Sequence, residues 1–543
     1  MNQVKTPLKF NEFDYITVKT ATKKHIISQK NACLCIGDIC IEMESVCGHE
    51  DIFLTSNTTA VEWLKIRWNK PLPKQVKILG DAWERGYGDL EWRKMSGSRF
   101  MPWYFLASYN DNRWGFGVKV RPSAMCYWQA DTKGITLMMD VRSGGEGVLL
   151  KGRRLKLAEL VCMETKEENS FHFAQKFCKM MCSDPIFPKT PVYGSNNWYY
   201  AYGDSSEEEI LSDTDYVLNL TKGAANPPYM VIDDCWQEHH RLNEYNGGPW
   251  RSGNSKFPNM KTLAKKLTQK GVYPGIWLRF LQNEDDAIKE EWRLPLNGCL
   301  DPTHPDALEY IRQDVRRICE WGYKLIKHDF STYDLFGRWG FEMNPMVTEN
   351  GWHFYNQSLT SAEVVKLLYQ TIYDITKEYE TLIIGCNTIG HLGAGLMHIN
   401  RTGDDTSGLT WERTRRMGIN TLAFRLPQHK TFFDVDADCV GIAGNIPWKL
   451  NRQWADVIVE SGTPLFISVK PGILNEQEIA ELREIMVRAS SQTCQKIPAD
   501  WEETDCPEIW ADKQEQLQYN WYEDAGSDLE SKNEKYYANI PLA

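Results

Sequence analysis

Tyr323-Lys-Leu-Ile-Lys-His-Asp-Phe330 reads as one buried strand that ends on charge. Alternate side chains of a strand share a face. Leu325, Lys327 and Asp329 therefore point one way, and Lys324, Ile326 and His328 the other. Ionisable groups two residues apart at the end of a β run do not suit a packed core, where an unpaired charge is costly. They suit the mouth of a parallel barrel, where the C-terminal strand ends meet substrate. The plainer alternative is a Lys327–Asp329 ion pair that only plugs the barrel end.

The same arrangement recurs on either side. From about residue 190 a strand is followed by a helix, repeatedly, with eight candidate strands at 192–198, 229–234, 273–279, 323–330, 381–387, 395–401, 432–442 and 464–470. Leu308, Ile311, Val315 and Ile318 form one apolar stripe of helical period, and Val364, Leu368, Ile372 and Ile375 another. No Gly-rich phosphate loop of either common kind is present, so nothing supports nucleotide binding. The alternation predicts an α/β chain with a (β/α)8 TIM barrel. Residues before about 185 instead alternate short strands with turns, as at 61–68, 134–141 and Gly144-Gly145, which predicts an N-terminal β-sandwich. The expected division is 1–185 for the sandwich, 186–492 for the catalytic barrel and 493–543 for a short C-terminal segment.

Polar residues collect at the predicted C-terminal strand ends: Ser195-Asn-Asn-Trp198, Asp233-Asp-Cys-Trp236, Trp277-Leu-Arg279, Lys327-His-Asp329, Cys386-Asn387 and Arg401-Thr-Gly-Asp-Asp405. Singly each has a plain explanation; Asp233-Asp234 would serve as a helix cap and Arg401 as a partner of Asp404 or Asp405. Together they describe a pocket of carboxylates, a lysine, an arginine and indole rings, the chemistry of a sugar subsite.

The bulk numbers agree. The 543 residues are 42% hydrophobic and 25% charged, an ordinary globular balance. A net charge of −11, without a Lys/Arg-rich run, argues against nucleic acid as a partner. The first ten residues hold no apolar signal region, and no apolar run is long enough to span a membrane. The 15 cysteines, an odd number in apolar surroundings, suggest reduced thiols in a cytoplasmic protein, with an exported form that has lost its leader left open. Cys33, Cys35, Cys40, Cys47 and His49 invite a zinc reading, but lack the paired short spacings of structural zinc sites and are expected to be buried cysteines. Cys178 and Cys182, one helical turn apart, are read as core. Gly80-Asp-Ala-Trp-Glu-Arg-Gly-Tyr-Gly-Asp-Leu-Glu-Trp92 is either an anchored surface loop or a loop lying over the barrel mouth.

These motifs resemble the clan D glycoside hydrolases, and most of all the α-galactosidases of glycoside hydrolase family 36. Asn196-Asn197-Trp198 is similar to the family's Asn-Ser-Trp, and Val231-Ile-Asp-Asp-Cys-Trp-Gln237 to its Ile-Asp-Asp-Gly-Trp-Gln. Tyr273-Pro-Gly-Ile-Trp277, Lys327-His-Asp329 and Arg401-Thr-Gly-Asp-Asp405 follow in the same order, over about 190–470. The resemblance implies a retaining hydrolase of terminal α-galactose with Asp329 as nucleophile and Asp405 as general acid/base, Asp404 being the neighbouring alternative. It implies that Asp233 and Asp234 accept hydrogen bonds from sugar hydroxyls and that Trp198 and Trp277 wall the pocket. Lys327 would bind hydroxyls and keep Asp329 ionised, and Arg401 would lie near C2. Cys386 opens a loop facing the C2 substituent, which departs from the family as Cys386-Asn387-Thr388-Ile389-Gly390. No metal or cofactor is implied, and the expected partner is an oligosaccharide of raffinose or galactomannan type. An α-N-acetylgalactosaminidase, a raffinose-synthase-like galactosyltransferase and an inactive sugar binder remain as alternatives, and a homo-oligomer is left open. The mechanism needs an ionised Asp329, and an Asp405 whose pKa the pocket raises so that it starts protonated.

Overall fold

The computed structural model describes residues 8–28, 33–166 and 169–522. The start of the chain, on which the absence of a signal region was read, and the end of the C-terminal segment (523–543) lie outside them. The strand Leu325–His328 pairs in parallel with Tyr273–Leu278 on one side and Leu382–Gly385 on the other. It is one of nine strands in a single curled parallel sheet. In spatial order these are Asp434–Asp436, Ile399–Arg401, Leu382–Gly385, Leu325–His328, Tyr273–Leu278, Tyr229–Ile232, Tyr193–Asn196, Leu465–Val469 and Val440–Ile442. The two edge strands are consecutive in the chain, joined through Ala437, Asp438 and Cys439, so the stretch expected as one strand at 432–442 is two short ones. Asp438 adopts φ 79°, outside β space, and breaks it.

Both predicted helical stripes are buried as expected. Leu308, Ile311, Val315 and Ile318 lie on the helix Pro305–Glu320, which opens on a proline in its first turn. Val364, Leu368, Ile372 and Ile375 lie on Ser361–Glu378, whose Thr360 and Glu363 form a reciprocal N-terminal cap. The strand alternation also holds: Ile326 and His328 face the outer apolar core, whereas Leu325 belongs to a cluster inside the sheet with Val231, Ile384 and Ile399.

Before residue 167 the strands form two antiparallel sheets. One, of six strands, includes Tyr15–Thr20, Val61–Trp68, Met125–Asp131 and Gly134–Asp140; the other, of eight, includes Ile39–Val46, His49–Ser56, Tyr104–Tyr109, Asn112–Val118 and Leu155–Lys166. Trp68 stacks on Trp128 within the first sheet, and Phe105 of the second meets Trp128 edge-on at 6.1 Å. Cys178 and Cys182 are core, as expected. The expectation of buried cysteines at the Cys33–Cys40 hairpin is corrected: Cys33, Cys35 and Cys47 are exposed, and Cys35 is bonded to Cys40 as a disulfide. Leu34 alone of this edge strand turns into the core, which leaves its odd-numbered neighbours on the solvent face. Residues 497–518 add a small three-stranded antiparallel sheet. Among the described residues, no helix is long and apolar enough to cross a membrane.

Candidate active site

At the C-terminal ends of the parallel strands lies a cavity of about 650 Å³, lined among others by Trp198, Asp233, Asp234, Trp277, Lys327, Asp329, Asp404 and Asp405. Most of the residues expected from strand ends are therefore brought to one place. Asp329 follows the last residue of its strand. Trp277 Nε1 on the neighbouring strand donates to its Oδ2 (2.9 Å), and the amide of Phe330 donates to its Oδ1 (2.7 Å). Phe330 is left-handed, with φ 61°, so the chain turns abruptly and leaves the carboxylate at the mouth. His328, on the opposite face, is buried against Phe280 and Tyr369 with neither ring nitrogen hydrogen-bonded; burial pushes its imidazole down to about 3 and keeps it neutral.

Lys327 does not pair with Asp329. Its Nζ lies 2.7 Å from Asp233 Oδ2, across two strands, and Asn196 Nδ2 donates to the same oxygen (2.5 Å). The plainer alternative of a Lys327–Asp329 ion pair is corrected: the long side chain spans the floor of the pocket to buried Asp233, and Asp329 acts on it only as a further charge. Asp234 accepts from Gln237 Nε2 (2.8 Å), and burial pushes its carboxyl up to about 7 despite that bond. The next residue, Cys235, has φ 107°, a conformation natural to glycine.

Arg401 and Cys386 stand behind the cavity. Arg401 Nη1 reaches Cys386 Sγ (3.4 Å), its Nη2 reaches Asp438 (2.9 Å) and Asp405 (3.1 Å), and both arginine and thiol are buried. Together with Asp436 and Asp438, Arg401 faces a void of about 20 Å³ beneath the floor. Asn387, next to Cys386, does line the main cavity.

The adjacent carboxylates 404 and 405 have different surroundings. Asp404 is clamped between Arg85 (2.6 Å) and Arg413 (2.7 Å), with its side chain 3% exposed. Asp405 faces the cavity, 27% exposed, with Arg401 at 3.1 Å and Arg85 at 3.7 Å. Burial works to raise its pKa, but Arg401, Arg85, Lys327 and Arg413 outweigh it and hold the carboxyl down to about 2. The expectation of a raised value is corrected, and the physical reason is a second guanidinium supplied from far away in the chain.

That guanidinium belongs to the loop 80–92, which does lie in the barrel mouth. Gly86 and Gly403 run side by side: Gly86 N donates to Thr402 O (2.7 Å) and Asp404 N to Gly86 O (3.0 Å). A Cβ on Gly403 would stand 2.0 Å from Met417 O, so only glycine lets this segment pack against the helical turn at Met417 on its other side. Arg425 and Gln428 hold Asp81, and Asn420 holds Leu90, pinning both ends of the loop. Glu84 is fully buried; burial pushes it up to about 7, against Arg85 and the hydroxyl of Tyr87 (2.8 Å). With its amide turned to donate to Glu84, Asn387 accepts from Arg85 (3.2 Å). The strand-end reading missed Arg85, Tyr87 and the aromatic residues of 330–341. Their signals were the charged, glycine-rich composition of 80–92 and the density of rings just after Asp329.

No protein-family model matches the chain. Over 142 residues it is 30% identical to an α-galactosidase of Oryza sativa subsp. japonica, which covers 26% of this chain and 30% of that protein. The chain thus matches under a third of the length of that curated relative. Its fold is similar to a family 36 α-galactosidase, AgaB, of Geobacillus stearothermophilus (TM-score 0.57, 14% identity, 90% of this chain and 72% of that one). It is also similar to a family 31 sulfoquinovosidase of E. rectale (TM-score 0.61, 11% identity, 95% and 88%). The partial sequence match is to α-galactosidases, and the fold likeness takes in α-galactosidases of family 36.

Proposed function

We propose that the chain is a retaining α-galactoside hydrolase that works through a covalent glycosyl-enzyme. Asp329 attacks the anomeric carbon, and Asp405 serves the leaving group and then activates water; two inversions leave the configuration retained. The observation that carries this reading is that Asp329, Asp405, Asp233, Asp234 and Lys327 line one cavity with Trp277. Asp405 is preferred to Asp404 because Asp404 has both its oxygens engaged by guanidinium groups. Asp233, Asp234 and Lys327 would bind the sugar hydroxyls, Trp198 and Trp277 would wall the ring, and Arg401 and Cys386 would support the site from behind. Asn387 tied to buried Glu84 and Arg85 favours a C2 hydroxyl over the bulkier N-acetyl group.

The finer fold reading belongs to the same proposal. The curled sheet counts as a (β/α)8 barrel whose seventh strand is split at Asp438, and the two antiparallel sheets count as a β-sandwich meeting at Phe105 and Trp128. The divisions 1–185, 186–492 and 493–543 belong to this proposal, as does a cytoplasmic setting, which the free buried thiols at Cys126, Cys299 and Cys386 favour and the Cys35–Cys40 disulfide opposes. The test is nitrophenol release from p-nitrophenyl α-galactoside beside the α-N-acetylgalactosaminide and the α-glucoside. Turnover on the galactoside alone is expected; turnover on the glucoside alone would overturn the sugar assignment.

A further inference from the structure

We propose that the Cys33–Cys40 hairpin is a binding site for a soft divalent cation of the zinc type, made when its disulfide is reduced. The spacing Cys-x-Cys-x4-Cys hides the site and the strand pairing makes it. Cys33 and Cys35 alternate along one strand and share its outer face, while Leu34 between them turns into the core. The two-residue turn Gly37-Asp38 folds the chain back so that Cys40 stands directly opposite Cys35. Three sulfurs thereby lie within 4.8 Å of one another on one outer face. Cys33 Sγ stands 3.7 Å from Cys35 Sγ. Two thiolates on a tetrahedral zinc, with Zn–S of about 2.3 Å, stand about 3.8 Å apart. Glu42, opposite Cys33, is held by Arg154 (2.8 Å), which leaves the fourth position to water. None of these residues lines the barrel cavity, so the inference is independent of the hydrolase reading.

The hairpin does not need its disulfide. The crosslink spans a sequence separation of 5, and so short a loop removes little freedom from the unfolded chain. Other contacts hold the same frame. Leu34 and Ile41 are buried, and Asp38 Oδ2 accepts from the amides of Asn57 (3.1 Å), Thr58 (2.7 Å) and Thr59 (3.0 Å). The sulfurs therefore keep their places when the bond opens, and Cys33 is already a free thiol beside it. In that step a small-molecule thiolate attacks Cys40 Sγ and Cys35 leaves. A second thiol then displaces Cys40 from the mixed disulfide. The two thiols leave joined as one disulfide, and their two electrons and two protons end on Cys35 and Cys40. Zinc binds the three sulfurs as thiolates and releases three protons. Among the described residues, the other group of three close donors, His49, Asp51 and Glu159, differs in being filled. Lys156 reaches Asp51 (2.8 Å) and Lys119 reaches Glu159 (2.7 Å).

The experiment titrates zinc into the full chain, oxidised or reduced anaerobically by a phosphine that is then removed, in competition with a chromogenic chelator. The expected result is one zinc per reduced chain, bound about 100-fold or more tightly than by the oxidised chain or by reduced Cys33→Ser. Cys47→Ser and His49→Ala should bind zinc as the parent does, which separates the site from the other exposed thiol and from the filled cluster. An unchanged denaturant midpoint shows that Cys33→Ser keeps the fold. Cadmium tests the unsubstituted chain: its sulfur-to-metal absorption in the ultraviolet should reach the intensity of three thiolates after reduction and be absent before it. Equal affinity in the oxidised and reduced chains would overturn the proposal. So would binding that survives Cys33→Ser but not Cys47→Ser, or one zinc shared by two chains.

Discussion

The floor and the rim of the cavity are built by different means. On the floor, Asp233, Lys327 and Asp329 each sit on or next to the end of a parallel strand, so strand register alone brings them together. On the rim, Asp404 and Asp405 owe their surroundings to Arg85, which arrives on a loop from the antiparallel layer and docks through Gly86 against Gly403. The floor is a property of one sheet. The rim is a contact between two distant parts of the chain, and there the electrostatics depart from what the strand ends suggest.

The sharpest break of that comparison is at the floor. Asp329→Ala should lower turnover by about 10⁴-fold or more, because a nucleophile acts as part of a unit and its loss is not shared out. Sugar binding should survive, read as quenching of tryptophan fluorescence by galactose, since Asp233, Asp234 and Lys327 remain. Activity within a few-fold of the parent would remove Asp329 from the mechanism.

At the rim, the two neighbouring aspartates should fail differently. Asp405→Asn should give a burst of phenol from phenyl α-galactoside and then a steady rate lower by about 10²- to 10⁴-fold. Azide should restore that rate and yield α-galactosyl azide, because the covalent intermediate still forms on Asp329. Asp404→Asn instead removes the buried charge on which Arg85 and Arg413 converge and should cost about 3–5 kcal/mol of stability in a denaturant titration. A stable Asp404→Asn enzyme with the burst, beside an unfolded Asp405→Asn, would exchange the two roles.

What the sequence made legible follows the same line. Register and alternation placed Lys327 and Asp329 on one face and His328 on the other, and the period of 3.6 placed the stripes of the helices 305–320 and 361–378. Those are local rules. Lys327 choosing Asp233 over Asp329 depends on the reach of a side chain across two strands, and the depressed Asp405 depends on Arg85. Neither has a local signal. The loop 80–92 could be flagged from its composition, but which of its residues enters the site depends on the docking of Gly86. The cysteine hairpin went the other way because an edge strand has a free face, which period two cannot assign to core or solvent by itself.

A gentler probe of the rim is the buried Glu84. Its folded value of about 7 lies above the ordinary 4.5, so between those pH values the folded state holds more protons than the unfolded one. Its contribution to stability is therefore full below about 4.5 and falls as pH rises toward 7. Glu84→Gln should flatten that part of the unfolding profile, by about 3 kcal/mol at most across the window. Buried Asp234 lies on the floor with a similar value, so the slope that remains in the variant reports the floor. An unchanged slope would mean that Glu84 is ionised and paired with Arg85 throughout.

The smallest effect belongs to the floor and tests whether it is strained as well as ordered. Cys235 holds φ 107° directly after Asp233 and Asp234, where the resembling motif has glycine, and its side chain is buried. A non-glycine residue in that region costs about 1–3 kcal/mol, while glycine gives part of this back through a freer unfolded chain. Burial of the thiol offsets a further share. Cys235→Gly should therefore stabilise by about 1 kcal/mol, seen as a higher denaturant midpoint at unchanged slope, with turnover nearly unaltered. A loss of stability would show that the packing of this thiol outweighs the strain. It would also explain how the chain carries a cysteine at a position whose backbone is made for glycine.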